Sequence, residues 1–282
     1  MTLRMTSLTP AAFVDELVSP GLATSIGPVA LRQYVSTAAR SPLAAAVRVQ
    51  LDELMRQGGD GPRALRALQT RCNERDESQW RRLFSGTGHL DRLVELWEWM
   101  LAQRSLLAPL PPPLGASGPT WDGWFAQSHP IQAMVDAEVF GLDCLGFVSQ
   151  YLRRAGLMDD APTWNVRGFG TAAGLRPVTR SDQVEPLSLL LFPRSAHHAQ
   201  HIALVSRVDA VLGDNVRVDL CQSSRGGPQT NRRVVIGPGA GSPIEMGHLS
   251  MSPWSIPMHG TPPAPVQEAF VVMRHPGWRL GV

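Results

Sequence analysis

Lysine is missing from this 282-residue chain: all 26 basic side chains are arginine. A G+C-rich genome, whose codons favour Arg, Ala, Gly and Pro, explains this without any functional cause and carries most of the weight. Selection against lysine-directed tagging inside a foreign cell would leave the same trace. Excess charge is missing too. The formal net charge is +2, and the arginines cluster only in doublets such as Arg81-Arg82, Arg153-Arg154 and Arg232-Arg233, which argues against a dedicated nucleic-acid surface. Cysteine is scarce. Cys72, Cys144 and Cys221 are odd in number and form no CxxC pair, which argues against a disulfide framework. No apolar run approaches the roughly 20 residues that cross a bilayer, and Met1 to Glu16 holds no signal-peptide core. The expectation is a cytoplasmic start with no membrane span. At 43% hydrophobic and 18% charged residues, the chain has enough apolar surface for two modest domains.

Up to about Arg104 apolar residues recur at helical spacing in short blocks. They are Leu43, Val47, Leu51 and Leu54, then Leu65 and Leu68, then Trp80 and Leu83, then Leu90, Leu93, Val94, Trp97 and Leu101. An all-α domain over 1–108 is expected. The proline-rich stretch Pro109 to Pro119 cannot hold a helix and reads as an extended linker over 109–120. After it the pattern changes. A helix is expected from Cys144 to Arg154, closed by Gly156, followed by short strands at Leu187–Phe192, His201–Val208, Val216–Gln222, Arg232–Ile236 and Ala269–Met273. Asp214-Asn215 falls at a hairpin turn. Gly237 to Pro265, with His248, Trp254 and His259, is long and irregular, a candidate lid. The fold class expected is α+β, with domains 1–108 and 121–282.

Chemistry concentrates at Phe140-Gly141-Leu142-Asp143-Cys144-Leu145-Gly146-Phe147-Val148, which sets a cysteine between a turn and an apolar helix. Unpaired N–H groups and the macrodipole at a helix start favour a thiolate. A lone cysteine is more often a small buried hydrophobe, but the flanking Asp143 and Gly146 weaken that explanation here. A base should come from His197, His198 or His201. His201 is preferred because it opens an apolar strand and shares a face with Ala203 and Val205. Zinc binding by His197-His198-Ala199-Gln200-His201 is the lesser alternative, since the glutamate of an HExxH site is missing. The group orienting the imidazole should lie on the next strand, where Gln222 and Asp219 have opposite parity. His129 and Gln132 are candidate side-chain oxyanion donors, but the ordinary loop role carries more weight for each.

The Asp143-Cys144-x-Gly146-Phe147-Val148 helix start and the His201-Ile202-Ala203-Leu204-Val205 strand resemble the NlpC/P60 superfamily of papain-like cysteine peptidases. The strand end at Gln222 before Ser223-Ser224-Arg225-Gly226-Gly227 is similar as well, and that placement selects Gln222 over Asp219. The likeness covers roughly 121–282. It departs at Leu145, where serine is usual, and at Val184 to Leu189, where Pro-Gly-Asp-Leu is usual, so the chain reads as a divergent member. The resemblance implies a papain-like domain and a cofactor-free cysteine hydrolase with Cys144, His201 and Gln222 at its site. The implied substrate is an amide in bacterial cell-wall peptides. The signal-free start then points to an antibacterial effector exported by a specialised secretion machine, with a secretion or immunity partner. The alternatives are a cytoplasmic amidase acting on recycled peptides or small amides, a lysis enzyme released through a holin, or a degenerate scaffold whose partner surface is Trp97-Glu98-Trp99.

Overall fold

The computed structural model describes residues 4–35, 41–74, 76–115, 118–159, 165–172, 174–192, 200–224, 226–239, 242–246, 249–255 and 269–281. The chain is mixed α and β, and its elements run in the order β1 (Arg4–Thr6), α1 (Pro10–Val18), β2 (Leu22–Thr24), β3 (Gly27–Val29), α2 (Pro42–Leu54), α3 (Asp60–Asn73), α4 (Gln79–Leu83), α5 (Leu90–Ala102), α6 (Arg104–Leu107), α7 (Trp121–Phe125), α8 (Pro130–Asp136) and α9 (Cys144–Arg154). There follow α10 (Arg167–Gly170), β4 (Arg176–Val178), β5 (Leu189–Phe192), β6 (His201–Leu212), β7 (Asn215–Ser224), β8 (Gly227–Pro238), β9 (Ile244–Met246), β10 (Leu249–Met251), β11 (Trp254–Ser255), β12 (Val271–Arg274) and β13 (Trp278–Leu280). Two compact units interleave along the chain: Met1–Val14, Phe147–Ser223 and Gln229–Val282 form one, and Asp15–Gly146 with Ser224–Pro228 the other.

The second of these is built mainly of helices. Ser41 caps α2, its hydroxyl accepting the Ala44 N–H at 3.3 Å, and Pro42 opens the helix where a missing N–H costs nothing. The expected stripe Leu43, Val47, Leu51 and Leu54 is buried, as are Leu65, Leu68 and Cys72 of α3. In α5 the buried face is turned from the one expected. Leu93, Leu96, Trp97 and Met100 point inward, while Leu90, Val94 and Leu101 are half-buried, because α3 and β2 both pack on this helix. Residues before Arg104 are not all helical, since they also hold β1 and the β2–β3 hairpin. The described part of the proline-rich stretch lies inside this unit and is turned, not extended: Gly115 donates to the Pro112 carbonyl at 3.0 Å and Gln50 reaches the Pro111 carbonyl at 2.8 Å.

In the other unit a seven-stranded antiparallel sheet runs in the order β11-β8-β7-β6-β5-β12-β4. It curls until its ends approach: Trp254 of β11 exchanges backbone hydrogen bonds with Phe270 at 2.7 and 3.0 Å, and its indole donates to the Val178 carbonyl of β4 at 2.9 Å. Inside the curl the period-two rows Leu190/Phe192, Ala203/Val205 and Val216/Val218/Leu220 meet Ile236, Trp254, Phe270 and Val272. Residues of opposite parity, Leu189, Leu191, Ile202, Leu204 and Cys221, are buried too. On that side α1 sends its Ala11 N–H to Ser206 Oγ at 3.2 Å, and Phe13 packs on Phe147 and Tyr151 of α9. Burying both sheet faces accounts for the uninterrupted apolar runs in β5 and β6. The hairpin tip is Gly213-Asp214, one residue earlier than expected, with Gly213 at φ +63°. The described part of the expected lid is not loop: β9 pairs with β10, and β11 joins the sheet edge. His248 and His259 lie outside the described residues. One parallel pairing, β1 with β13, ties the two ends of the chain.

Candidate active site

Cys144 is the first residue of α9, and the chain makes this helix start with unusual care. Asp143 is the N-cap, its carboxylate accepting the Gly146 N–H at 2.6 Å, the third-position donor that a cap side chain satisfies. At the far end Gly156, at φ +66°, donates to the Arg153 carbonyl at 3.0 Å, and Leu157 donates to the Leu152 carbonyl at 2.9 Å. That pair is a Schellman closure, so both expected ends of the helix are found where local chemistry puts them. Cys144 is 4% exposed and Asp143 equally buried.

Around this turn, within the helical unit, the backbone is crowded. The Asp143 N–H donates to the Gly86 carbonyl at 3.1 Å and the Leu142 N–H to the Gln33 carbonyl at 3.2 Å. A Cβ on Gly146 would lie 1.8 Å from the Gly86 oxygen, and one on Gly141 would lie 2.6 Å from the Gln33 oxygen. Glycine at both places is therefore a steric requirement. Gly86 belongs to the loop between α4 and α5, a segment that sequence reading assigned no part in the site. Its neighbours Ser85-Gly86-Thr87-Gly88 spell a turn, but nothing local says what the turn touches.

In the sheet unit His201 opens β6 and Gln222 lies near the end of β7. His201 Nε2 is hydrogen-bonded to Gln222 Oε1. The register pairs Leu204 with Cys221, so His201, Ala203 and Gln222 share one face by parity. Phe192, opposite His201 in β5, holds the ring from the side at 5.5 Å between centroids. An amide oxygen only accepts, so in this pair Nε2 is the donor and carries the proton.

Asp219, the other contender, is turned elsewhere. It pairs with Arg207 across a β-bulge, accepts the Arg233 N–H at 2.9 Å and lies 3.6 Å from Arg207 Nε. Gln132 is fully engaged, whereas His129 is engaged through Nδ1 while its buried Nε2 has no hydrogen-bond partner among the described residues. His129 caps α8, its Nδ1 accepting the Gln132 N–H at 3.3 Å, and Gln132 clasps Ala30 through both amide atoms at 2.8 and 3.2 Å while also donating to Asp136. Trp97 is completely buried and Trp99 half-buried with its indole on the Gly61 carbonyl, so Trp97-Glu98-Trp99 forms no exposed aromatic surface. His197 and His198 lie outside the described residues. Among the described residues no group of three or more His, Cys, Asp or Glu could hold a metal ion, and no helix is long and apolar enough to cross a membrane.

A thiol at a helix N-terminus and an imidazole oriented by an amide are the parts from which acyl transfer is assembled. Comparison with protein-family models, with curated proteins and with solved structures finds no match for this chain.

Proposed function

We propose that the protein is a cysteine hydrolase of an amide bond, divergently NlpC/P60-like, with Cys144 as nucleophile, His201 as base and acid, and Gln222 as the group that orients His201. The observation that carries this reading is the hydrogen bond between His201 Nε2 and Gln222 Oε1. It fixes ring and tautomer without adding a charge, which is what a proton carrier for a thiol needs. In the reaction the Cys144 thiol gives its proton to His201 Nδ1, the thiolate attacks the carbonyl carbon, and the oxygen becomes an oxyanion beside backbone donors of the α9 first turn. Imidazolium Nδ1–H then protonates the leaving nitrogen as the C–N bond breaks, giving a thioester and a free amine. Next, His201 takes a proton from water, hydroxide displaces the thiolate, and the acid leaves.

The substrate class that fits the motif is a bacterial cell-wall peptide, and an exported antibacterial effector is the role that such a substrate suggests. The test is digestion of purified peptidoglycan with mass analysis of the fragments. Release of new amino termini by the wild type but not by Cys144→Ala supports the reading. Intact peptidoglycan alongside turnover of small amides moves the substrate to the cytoplasmic alternative, and no turnover of either by a folded protein overturns the hydrolase reading.

A further inference from the structure

We infer that the Gly86 carbonyl is a positioning group for Cys144, so that Gly86 and Gly146 are positioning residues of the site and the α4–α5 loop is part of its machinery. The inference rests on the nucleophile reading above and adds the element that holds the nucleophile in place. Three independent contacts converge on that carbonyl or its residue. It accepts the N–H of Asp143, the N-cap of α9. It approaches Gly146 so closely that any Cβ there would meet it at 1.8 Å. Gly86 itself, at φ +76°, is packed so that a Cβ would lie 2.3 Å from the Val35 oxygen and 2.5 Å from the Asp143 nitrogen.

The segment Arg32–Val35 completes the mount. Gln33 accepts the Leu142 N–H, Val35 lies against Gly86, and Arg32 lies under Gly227, where a Cβ would meet its carbonyl carbon at 2.5 Å. Within the helical unit one stretch of backbone therefore touches both the turn that precedes Cys144 and Gly227. Backbone-to-backbone mounting of this kind leaves no side-chain rotamer to relax, so it holds a helix start to within a fraction of an ångström. The helical region before the proline-rich stretch is accordingly a structural part of the thiol site, not a detachable adaptor.

The experiment compares wild type, Gly86→Ala, Gly146→Ala and Gly156→Ala by the pH dependence of iodoacetamide alkylation, read at Cys144 by mass spectrometry, together with turnover. Gly156→Ala carries the same positive-φ penalty as Gly86→Ala but meets nothing within 4 Å, so it controls for backbone strain. Gly86→Ala and Gly146→Ala should move the alkylation midpoint up toward the ordinary thiol value of about 8.5. They should also cut turnover by about a hundredfold, on the scale of a reacting atom displaced by about 1 Å. Gly156→Ala should keep the wild-type midpoint. A folded Gly146→Ala with the wild-type midpoint and turnover overturns the inference. An ordinary midpoint already in the wild type overturns the nucleophile reading instead, which separates the two failures. If the glycine variants do not fold, hydrogen exchange of the wild type decides: the Leu142 and Asp143 amides should be as protected as those in the middle of α9, and exchange at the open-chain rate overturns the mount.

Discussion

Cys72 and Cys144 make a controlled pair. Both are helical, and they are exposed by 6% and 4%, so burial does not tell them apart. Cys72 lies in the last turn of α3, where the carbonyl ends of the peptide dipoles gather, whereas Cys144 is the first residue of α9, at the N–H ends. Burial pushes the Cys72 thiol up to about 11, and Glu95 adds to the rise against the opposing pull of Arg92 and Arg71. The Cys144 turn is held by two backbone carbonyls, a carboxylate cap and two glycines that tolerate no Cβ. Place on the helix and the backbone contacts at the turn, not depth, tell these two cysteines apart.

The largest expected effect breaks this pair directly. Cys144→Ala should lower turnover by at least about a thousandfold, as removal of a nucleophile does, while Cys72→Ala leaves turnover unchanged and lowers only the melting temperature. His201→Ala should cost about as much as Cys144→Ala. Because the two act as one unit, the double variant should be no slower than either single one, which steady-state rates of the three proteins will check.

Smaller by one or two orders is Gln222→Ala. It should leave activity reduced about ten- to a hundredfold, less than the 10²–10⁴ that general acid–base catalysis contributes in total. Gln222→Glu should shift the pH profile, since it places a charge beside the imidazole. Asp219→Ala, which breaks only the contacts to Arg207 and Arg233, should leave kcat within about twofold. Equal loss in Asp219→Ala and none in Gln222→Ala would transfer the orienting role.

The smallest effect concerns a histidine outside the proposed site. His275 stacks on Trp278 at 4.9 Å, its Nδ1 accepts the Gly277 N–H at 3.1 Å, and burial, then the nearby Arg4, holds its pKa below the ordinary 6.5. The unfolded chain binds this proton more readily, so the stability His275 contributes is present above pH 6.5 and is lost as pH falls toward the lowered folded value. Melting temperatures at pH 7.5 and 5.5 should differ less in His275→Gln than in the wild type.

Legibility in the sequence followed the range of the forces. Cys144–Arg154 could be bounded because Asp143 and Gly156 act within three residues of its ends, and β5 to β8 and β12 could be placed because short β-rich runs and the turn residues between them, Asp214-Asn215 among these, are local signals. Gly86 could not be linked to Gly146, nor β1 to β13, since those contacts are made between residues 60 or more positions apart and leave no periodic trace. The buried face of α5 was misjudged for a related reason: two elements pack on it, and periodicity alone selects one stripe. Gln222 was favoured over Asp219 through the family resemblance; parity said only that one of them could face His201. The β-bulge between Val205 and Arg207, which gives Asp219 to Arg207, is invisible in a one-dimensional pattern.

The central claim is that Cys144 and His201 work on the same bond. Its most direct test is treatment of the native protein with 1,3-dibromoacetone, whose two carbons alkylate a thiol and an imidazole only when they are a few ångströms apart, followed by peptide mapping. One acetone bridge joining the Cys144 and His201 peptides is expected, with Cys72 untouched and the bridge lost in His201→Ala. Alkylation of Cys144 with no bridge, or a bridge to a different histidine, would contradict it.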